Sequence, residues 1–149
     1  MRAVITRVAW ARVRAHGAVV GAIERGICAF IGVGQGDGER DAIWIGDKIC
    51  RCRCFVDEQD KMNRSLLDGC GSVLAISQFT LYGDLRKGHR PSFGAALTPA
   101  PAEQLFERVC AQIRSRGIAV QTGRFRAHME VESQNDGPVT LLLDSKKEF

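Results

Sequence analysis

Apolar and polar residues alternate from the first positions of this chain. AVITRV, flanked by arginine over residues 2–8, has the period of two that a half-buried strand requires. Residues 11–15 and 18–23 read as a short hairpin around His16-Gly17, where glycine supplies a positive φ. GICAFIGV, residues 26–33, is a continuous apolar run expected of a central strand, and GQGDGER after it is a surface turn. From Glu39 the period changes. Ala42, Ile45, Ile49 and Cys52 recur every three or four positions, which predicts a helix running into a strand near Arg53-Phe55.

DEQDKMNRSLLDGCG is polar and ends in glycine, so it reads as a loop with one turn of helix. SVLAISQFTL, residues 72–81, is the strongest strand pattern in the chain. The clearest helix is AEQLFERVCAQIRSRG, in which Leu105, Phe106, Val109, Cys110 and Ile113 form one stripe. Pro101 sits where a missing N–H costs least, and Gly117 is a natural stop. HMEVESQ and VTLLLD then read as two strands joined across Asn135-Asp136-Gly137-Pro138. No repeat or linker divides the pattern. The expectation is one mixed α/β domain over residues 1–149, with two helices covering part of the sheet and 144–149 as a short tail.

Composition changes this picture little. The chain has 45% hydrophobic and 26% charged residues, an ordinary globular balance at 149 residues. Its apolar runs fall short of the roughly 18–20 residues of a membrane span. The charged N-terminal stretch lacks the apolar core of a secretory signal. A cytoplasmic location and no membrane partner are therefore expected. The six cysteines fit a reducing compartment, because a domain of this size does not require disulfides. Cys50, Cys52 and Cys54 have a spacing that suits packing along a strand better than a zinc knuckle, so no metal and no cofactor are expected.

Charge carries more information by position than by total. The net value of +4 permits an anionic partner. Arg86, Lys87, His89 and Arg90 cluster in LRKGHRPSF, with Arg114, Arg116, Arg124 and Arg126 later. A solvated surface and a nucleic-acid contact both fit such clusters.

The search for a standard catalytic set comes out almost empty. There is no HExxH, GxSxG, GxxxxGK[ST] or GxGxxG, and GVGQGDG is a turn. His16, His89 and His128 have no serine or cysteine at a telling spacing. SQFTLYGD stands out because it ends an apolar strand just before a turn, where rigid scaffolds present functional groups. Ser77 and Thr80 offer hydroxyls, Gln78 an amide, and main-chain N–H groups there can face an oxyanion. Satisfying the sheet edge is the alternative use of the same residues. Proline lowers the cis penalty to about 0.5–1 kcal/mol, so the Gly137-Pro138 bond is open to either isomer, and a cis bond would fix its neighbouring carbonyls in an unusual direction.

Taken together, SQFTL (77–81), RPSF (90–93), QTGRF (121–125) and NDGPVT (135–140) resemble the bacterial and eukaryotic D-aminoacyl-tRNA deacylase family. The resemblance runs from MRAVITRV through VTLLLD, and two such separated motifs are specific where either alone is weak. It implies a barrel-like core and a homodimer whose active site is shared across the interface. It also implies hydrolysis of the ester between a D-amino acid, or misattached glycine, and the 3′-terminal adenosine of tRNA. By resemblance, Ser77, Gln78, Phe79 and Thr80 line the catalytic pocket. Gly137 and Pro138 of the partner form a cis Gly-Pro loop that rejects L-amino acids, and Arg7 holds that loop. Arg86, Lys87, Arg90, Arg124 and Arg126 are candidate tRNA contacts, and Phe79 and Phe125 candidate walls for the terminal adenine. The family pattern also points to assistance from the substrate's own ribose 2′-OH, which suits the empty inventory of bases. Two other readings use the same residues: a tRNA-binding module without activity, and a broad ester hydrolase with Thr80 as nucleophile.

Overall fold

A computed structural model describes residues 1–148. Its organising element is β1 (Arg2–Ala15), one strand of 14 residues where the sequence suggested two pieces. Residues 9 and 10 stay in the strand because both edges of β1 are paired there or nearby. One edge meets β3 (Gly26–Gly32) along Arg2–Val8 and β2 (Ala18–Ile23) along Ala11–Ala15, both antiparallel. The turn to β2 has positive φ at both His16 (52°) and Gly17 (77°), the combination that a two-residue hairpin needs.

The expected pair of C-terminal strands is instead one, β8 (Met129–Asp144), running antiparallel along the whole of β1. Its pairing extends from Arg2–Asp144 to Ala15–Met129, with register breaks on either side of Val8. Asn135-Asp136-Gly137-Pro138 is therefore a bulge in a long strand. It cannot be a hairpin turn, because both flanks pair with the same neighbour in the same direction.

On the other side of β3 the sheet continues in parallel through β6 (Ser72–Ser77) and β7 (Val120–Thr122). It curls until β7 nearly meets β2. A Cβ added at Gly21 would lie 2.6 Å from the Thr122 carbonyl oxygen, so glycine permits this approach and the sheet is an almost closed barrel.

Two helices cover the outside, α1 (Glu39–Arg51) and α2 (Pro99–Ser115). At the start of α1 the Gly38 N–H donates to the Asp41 carboxylate at 2.9 Å, satisfying one of the donors a helix start leaves free. Pro99 and Pro101 lie in the first turn of α2, where no intrahelical N–H is lost. The helices pack closely at Gly46, where a Cβ would stand 2.8 Å from Gln112 Cγ. Between α1 and Ser72 lie the short hairpin β4 (Phe55–Val56) and β5 (Met62–Arg64) and one 3₁₀ turn, more strand than the polar sequence suggested.

Strand alternation divides the core. Ile27, Ala29, Ile31, Val73 and Ala75 face Ile45, Ile49, Val109 and Ile113 of the helices. Cys28, Leu74 and Ile76 face inward with Val8, Val13 and Ile23. Each buried Ile, Val and Leu side chain among these contributes about 1.5–3 kcal/mol of transfer free energy. Past β8, Ser145 and Lys146 turn back onto the body, Ser145 Oγ receiving the Met1 ammonium at 2.5 Å and Lys146 lying 3.1 Å from Asp41.

Candidate functional site

The strand expected over 72–81 ends at Ser77. Gln78 turns away with φ −142° and ψ 79°, and Phe79–Tyr82 form a 3₁₀ turn. The change occurs as β6 loses its partners, β7 pairing no further than Thr122 opposite Ala75. The last pairing is Ile31–Ser77, and the Gln78 N–H gives a final bond to the Ile31 carbonyl at 2.8 Å before β3 departs. Within the turn Leu81 N donates to Gln78 O and Gly83 N to Thr80 O at 2.9 Å. The first N–H groups of such a turn have no acceptor inside it.

Beside this turn lies a cavity of about 430 Å³ lined by Ser77, Phe79, Phe93, Leu97, Ala102 and Phe125, among others. Phe79 is more than half exposed and stands edge-on to Phe93, with ring centroids 5.0 Å apart. Phe125 also lines the cavity, its ring centroid 6.4 Å from that of Phe106. The wall carrying Phe93 to Leu97 is fixed to the end of β3, since Gln35 N donates to Ala95 O and Leu97 N to Val33 O, both at 2.9 Å. The cavity is thus mainly apolar and aromatic, with Ser77 and Arg126 as its polar lining residues.

The sequence-derived candidates separate into three places. Ser77, Phe79, Phe125 and Arg126 line the cavity, and Gln78 and Thr80 sit on the turn next to it. Gln78 Nε2 donates to the Thr80 hydroxyl in a short contact. Neither His16, His89 nor His128 is among the lining residues. His16 and His128 instead share a small cleft with Arg14 and Glu130 at the far hairpin. Ala96, Leu97, Pro99 and Ala102 were missed by sequence reasoning. They are small or apolar residues at the start of a helix, a pattern that also describes ordinary packing.

Arg7, Gly137 and Pro138 form the second group. Arg7 is largely buried and its guanidinium spans two segments, with Nε donating to the Asp136 carbonyl at 2.8 Å and Nη1 to the Cys54 carbonyl at 2.6 Å. The Asp136 carboxylate adds an ion pair at 3.3 Å. The expected cis bond is corrected: among the described residues no peptide bond is cis, so Gly137–Pro138 is trans. The backbone takes its bend through a left-handed Gly137 at φ +73°, a conformation open to glycine, and needs no isomerised proline.

The third group is the basic loop. Arg86, Lys87 and Arg90 are exposed on a loop closed by mutual hydrogen bonds between Asp84 and Ser92, at 2.8 and 2.9 Å. Arg86 is held by Asp84, and hydrogen bonding from Arg86 keeps the Asp84 carboxyl down at about 2. Arg124 is exposed beside Phe125. Cys50 and Cys54 are buried and Cys52 is partly exposed, and no group of three or more His, Cys, Asp or Glu side chains among the described residues is placed to hold a metal ion.

Comparison with known proteins agrees with this architecture. Residues 4–144 match the family model described as D-Tyr-tRNA(Tyr) deacylase. A D-aminoacyl-tRNA deacylase of Koribacter versatilis is 56% identical over 149 residues, covering 100% of both chains. That of Thermotoga petrophila is 52% identical with the same coverage. Among solved structures, the c-Myc DNA Unwinding Element Binding Protein superposes with a TM-score of 0.89 at 36% identity, covering 97% of this chain and 98% of that one. A probable eukaryotic D-amino acid tRNA deacylase, at 15% identity and a TM-score of 0.79, covers 95% of this chain and 97% of that one and shares the fold.

Proposed function

The chain belongs to the D-aminoacyl-tRNA deacylase family, and from that premise we propose that it hydrolyses the ester joining a D-amino acid, or a misattached glycine, to the terminal adenosine of tRNA. The observation that carries this reading is the cavity beside Ser77 and Phe79. Its size and aromatic walls suit one purine base, stacked near Phe79, Phe93 or Phe125. A base seated there brings its ribose and ester to the 3₁₀ turn. N–H groups near Phe79 and Thr80 then serve the developing oxyanion, with Ser77 and Gln78 shaping the approach. Attack by water is assisted by the substrate's 2′-OH, a role that requires no protein base. Thr80 already accepts a hydrogen bond from Gln78 and has no general base beside it, which favours this route over a Thr80 acyl-enzyme.

The Gly137-Pro138 loop acts as the filter. An L side chain collides with it, a D side chain points away, and glycine passes because it has nothing to collide. In a single chain this loop is not part of the cavity lining, so in our reading it completes the cavity of a second copy. The outer strand β8 supports such a pairing. It exposes Leu141 and Leu142, the latter at 62%, and an uncovered apolar edge strand favours association. Arg124 and Arg126 beside the cavity, and Arg86, Lys87 and Arg90 on the neighbouring loop, are assigned to acceptor-stem phosphates in the cytoplasm, so activity falls as salt rises.

The decisive experiment follows amino-acid release from D-tyrosyl-, L-tyrosyl- and glycyl-tRNA with and without a chelator. Chelator-insensitive loss of the D and glycyl esters with the L ester spared is expected. Binding of all three with release of none would make the chain a tRNA-binding module instead.

A further inference from the structure

Cys52 and Cys54 lie on the segment leaving α1 for β4. Cys52 caps the helix with extended backbone (φ −60°, ψ 118°) and gives its N–H to Lys48 O at 2.9 Å. Side chains two apart on an extended segment leave the same side, and a rise of about 3.3 Å per residue keeps their Cα atoms near the roughly 4.4–6.8 Å span of a disulfide. Both side chains pack against the same core, Cys54 within it and Cys52 at its margin. Their surroundings differ. Cys54 is 2% exposed, whereas Cys52 opens onto a groove of about 560 Å³ with Arg40, Trp44, Lys48 and Arg51. The hydrogen bond from Cys54, aided by Lys48 against the opposing effect of burial, brings the Cys52 thiol down to about 7. That same bond and burial push Cys54 up. Burial raises Cys28 and Cys110 to about 12 and Cys50 to about 11, so those thiols stay protonated, and none of the three lines the groove.

The other side of this segment faces the filter. The Cys54 carbonyl accepts Arg7 Nη1 at 2.6 Å while Arg7 Nε holds Asp136 O at 2.8 Å. One guanidinium therefore links the backbone of the thiol pair to the loop bearing Gly137-Pro138.

We propose that Cys52 and Cys54 form a hydroperoxide-sensitive thiol pair whose closure to a disulfide releases the loop held by Arg7. The Cys52 thiolate attacks a peroxide oxygen, the O–O bond breaks, and hydroxide or alkoxide leaves Cys52 as a sulfenic acid. The Cys54 sulfur attacks that sulfur, the S–O bond breaks, and water departs with the Cys54 proton. Two electrons pass from the sulfurs to the peroxide. The sulfurs must close to about 2 Å, which draws the 52–54 backbone together. A charge-assisted bond as short as the one from Arg7 to the Cys54 carbonyl tolerates little displacement, so Arg7 shifts and Asp136 with it. The consequence for chiral selection rests on the filter reading above; the movement of the loop does not.

The test treats reduced full-length protein with hydrogen peroxide and compares it with Cys52→Ser by peptide mass mapping and amide hydrogen exchange. The expected result is a Cys52–Cys54 linkage, lighter by two hydrogens and reversed by dithiothreitol. Exchange over residues 135–140 should accelerate about five-fold, the scale of one lost hydrogen bond, with neither change in Cys52→Ser. Absence of that linkage overturns the proposal, as does linkage with loop exchange equal to that of the reduced protein. The D and L ester assays on the same samples keep the two readings apart. Linkage with a faster-exchanging loop in a protein that releases no D-amino acid would support the thiol pair and sink the deacylase reading.

Discussion

The space in which a side chain at position 137 would begin is already held by Arg7: a Cβ built on Gly137 lies 3.0 Å from Arg7 Nη2. Since Gly137 also has φ +73°, Gly137→Ala meets backbone strain and a displaced guanidinium together. The backbone term alone costs about 1 kcal/mol. The expected outcome is a lower urea midpoint and a narrowed ratio of D- to L-ester release. Unchanged discrimination in a demonstrably destabilised variant would remove the loop from the filter.

Thr80→Ala is expected to keep release of D-amino acids within about ten-fold of wild type, because the lost hydroxyl is not the attacking group in this reading. Single-turnover rates on saturating D-tyrosyl-tRNA measure it. Complete loss with intact binding would instead assign Thr80 the nucleophilic role.

Ala102 sits on the wall of the cavity at the start of α2, and it is a useful place to block the cavity without touching the turn. Ala102→Phe should raise KM for charged tRNA by roughly ten-fold or more while kcat changes less, since it removes binding shared by ground and transition states. A circular-dichroism melt distinguishes this from unfolding. A normal KM in a folded variant would place the adenine elsewhere.

Stability at low pH should depend on Asp41. Burial pushes this carboxyl up, but hydrogen bonds from Ser145, the Gly38 N–H and Lys146 together bring it from 3.8 to about 2. The folded state thus prefers the ionised form. Its contribution is full above the ordinary value and is lost as pH falls through about 2. Urea midpoints of wild type and Asp41→Asn should differ at pH 7 and converge as the pH drops from about 4 to 2. A gap that stays constant over that range would contradict the assignment.

What the sequence disclosed followed from how locally each feature is determined. The α2 stripe of Leu105, Phe106, Val109, Cys110 and Ile113 and the run GICAFIGV carry their own periodicity, so both elements were legible with small boundary shifts. SQFTL was readable as a special place but not as a turn, because its strand ends where pairing with β3 stops, and the last partner, Ile31, stands 46 residues before Ser77. Asn135-Asp136-Gly137-Pro138 misled for a related reason. Four turn residues in a row do mark a bend, but whether a bend reverses the chain depends on what its flanks pair with, and here both pair with β1. Ala102 left no signal, since a small residue at the start of a helix is the same whether it faces a core or a cavity.

Because the bulge carrying Gly137-Pro138 lies within β8, it is anchored like an arch between two abutments. Thr140 pairs with Thr6 on one side and Asn135 with Val8 on the other, so the loop can change its chemistry far more easily than its span. Adding or removing one residue would have to be absorbed by a slip of one flank, turning Leu141, Leu142 and Leu143 onto opposite faces of the sheet. The sheet thus acts as a gauge for the loop: its length is set by the register of two strands, and a change in that length would be felt first as a misfolded edge.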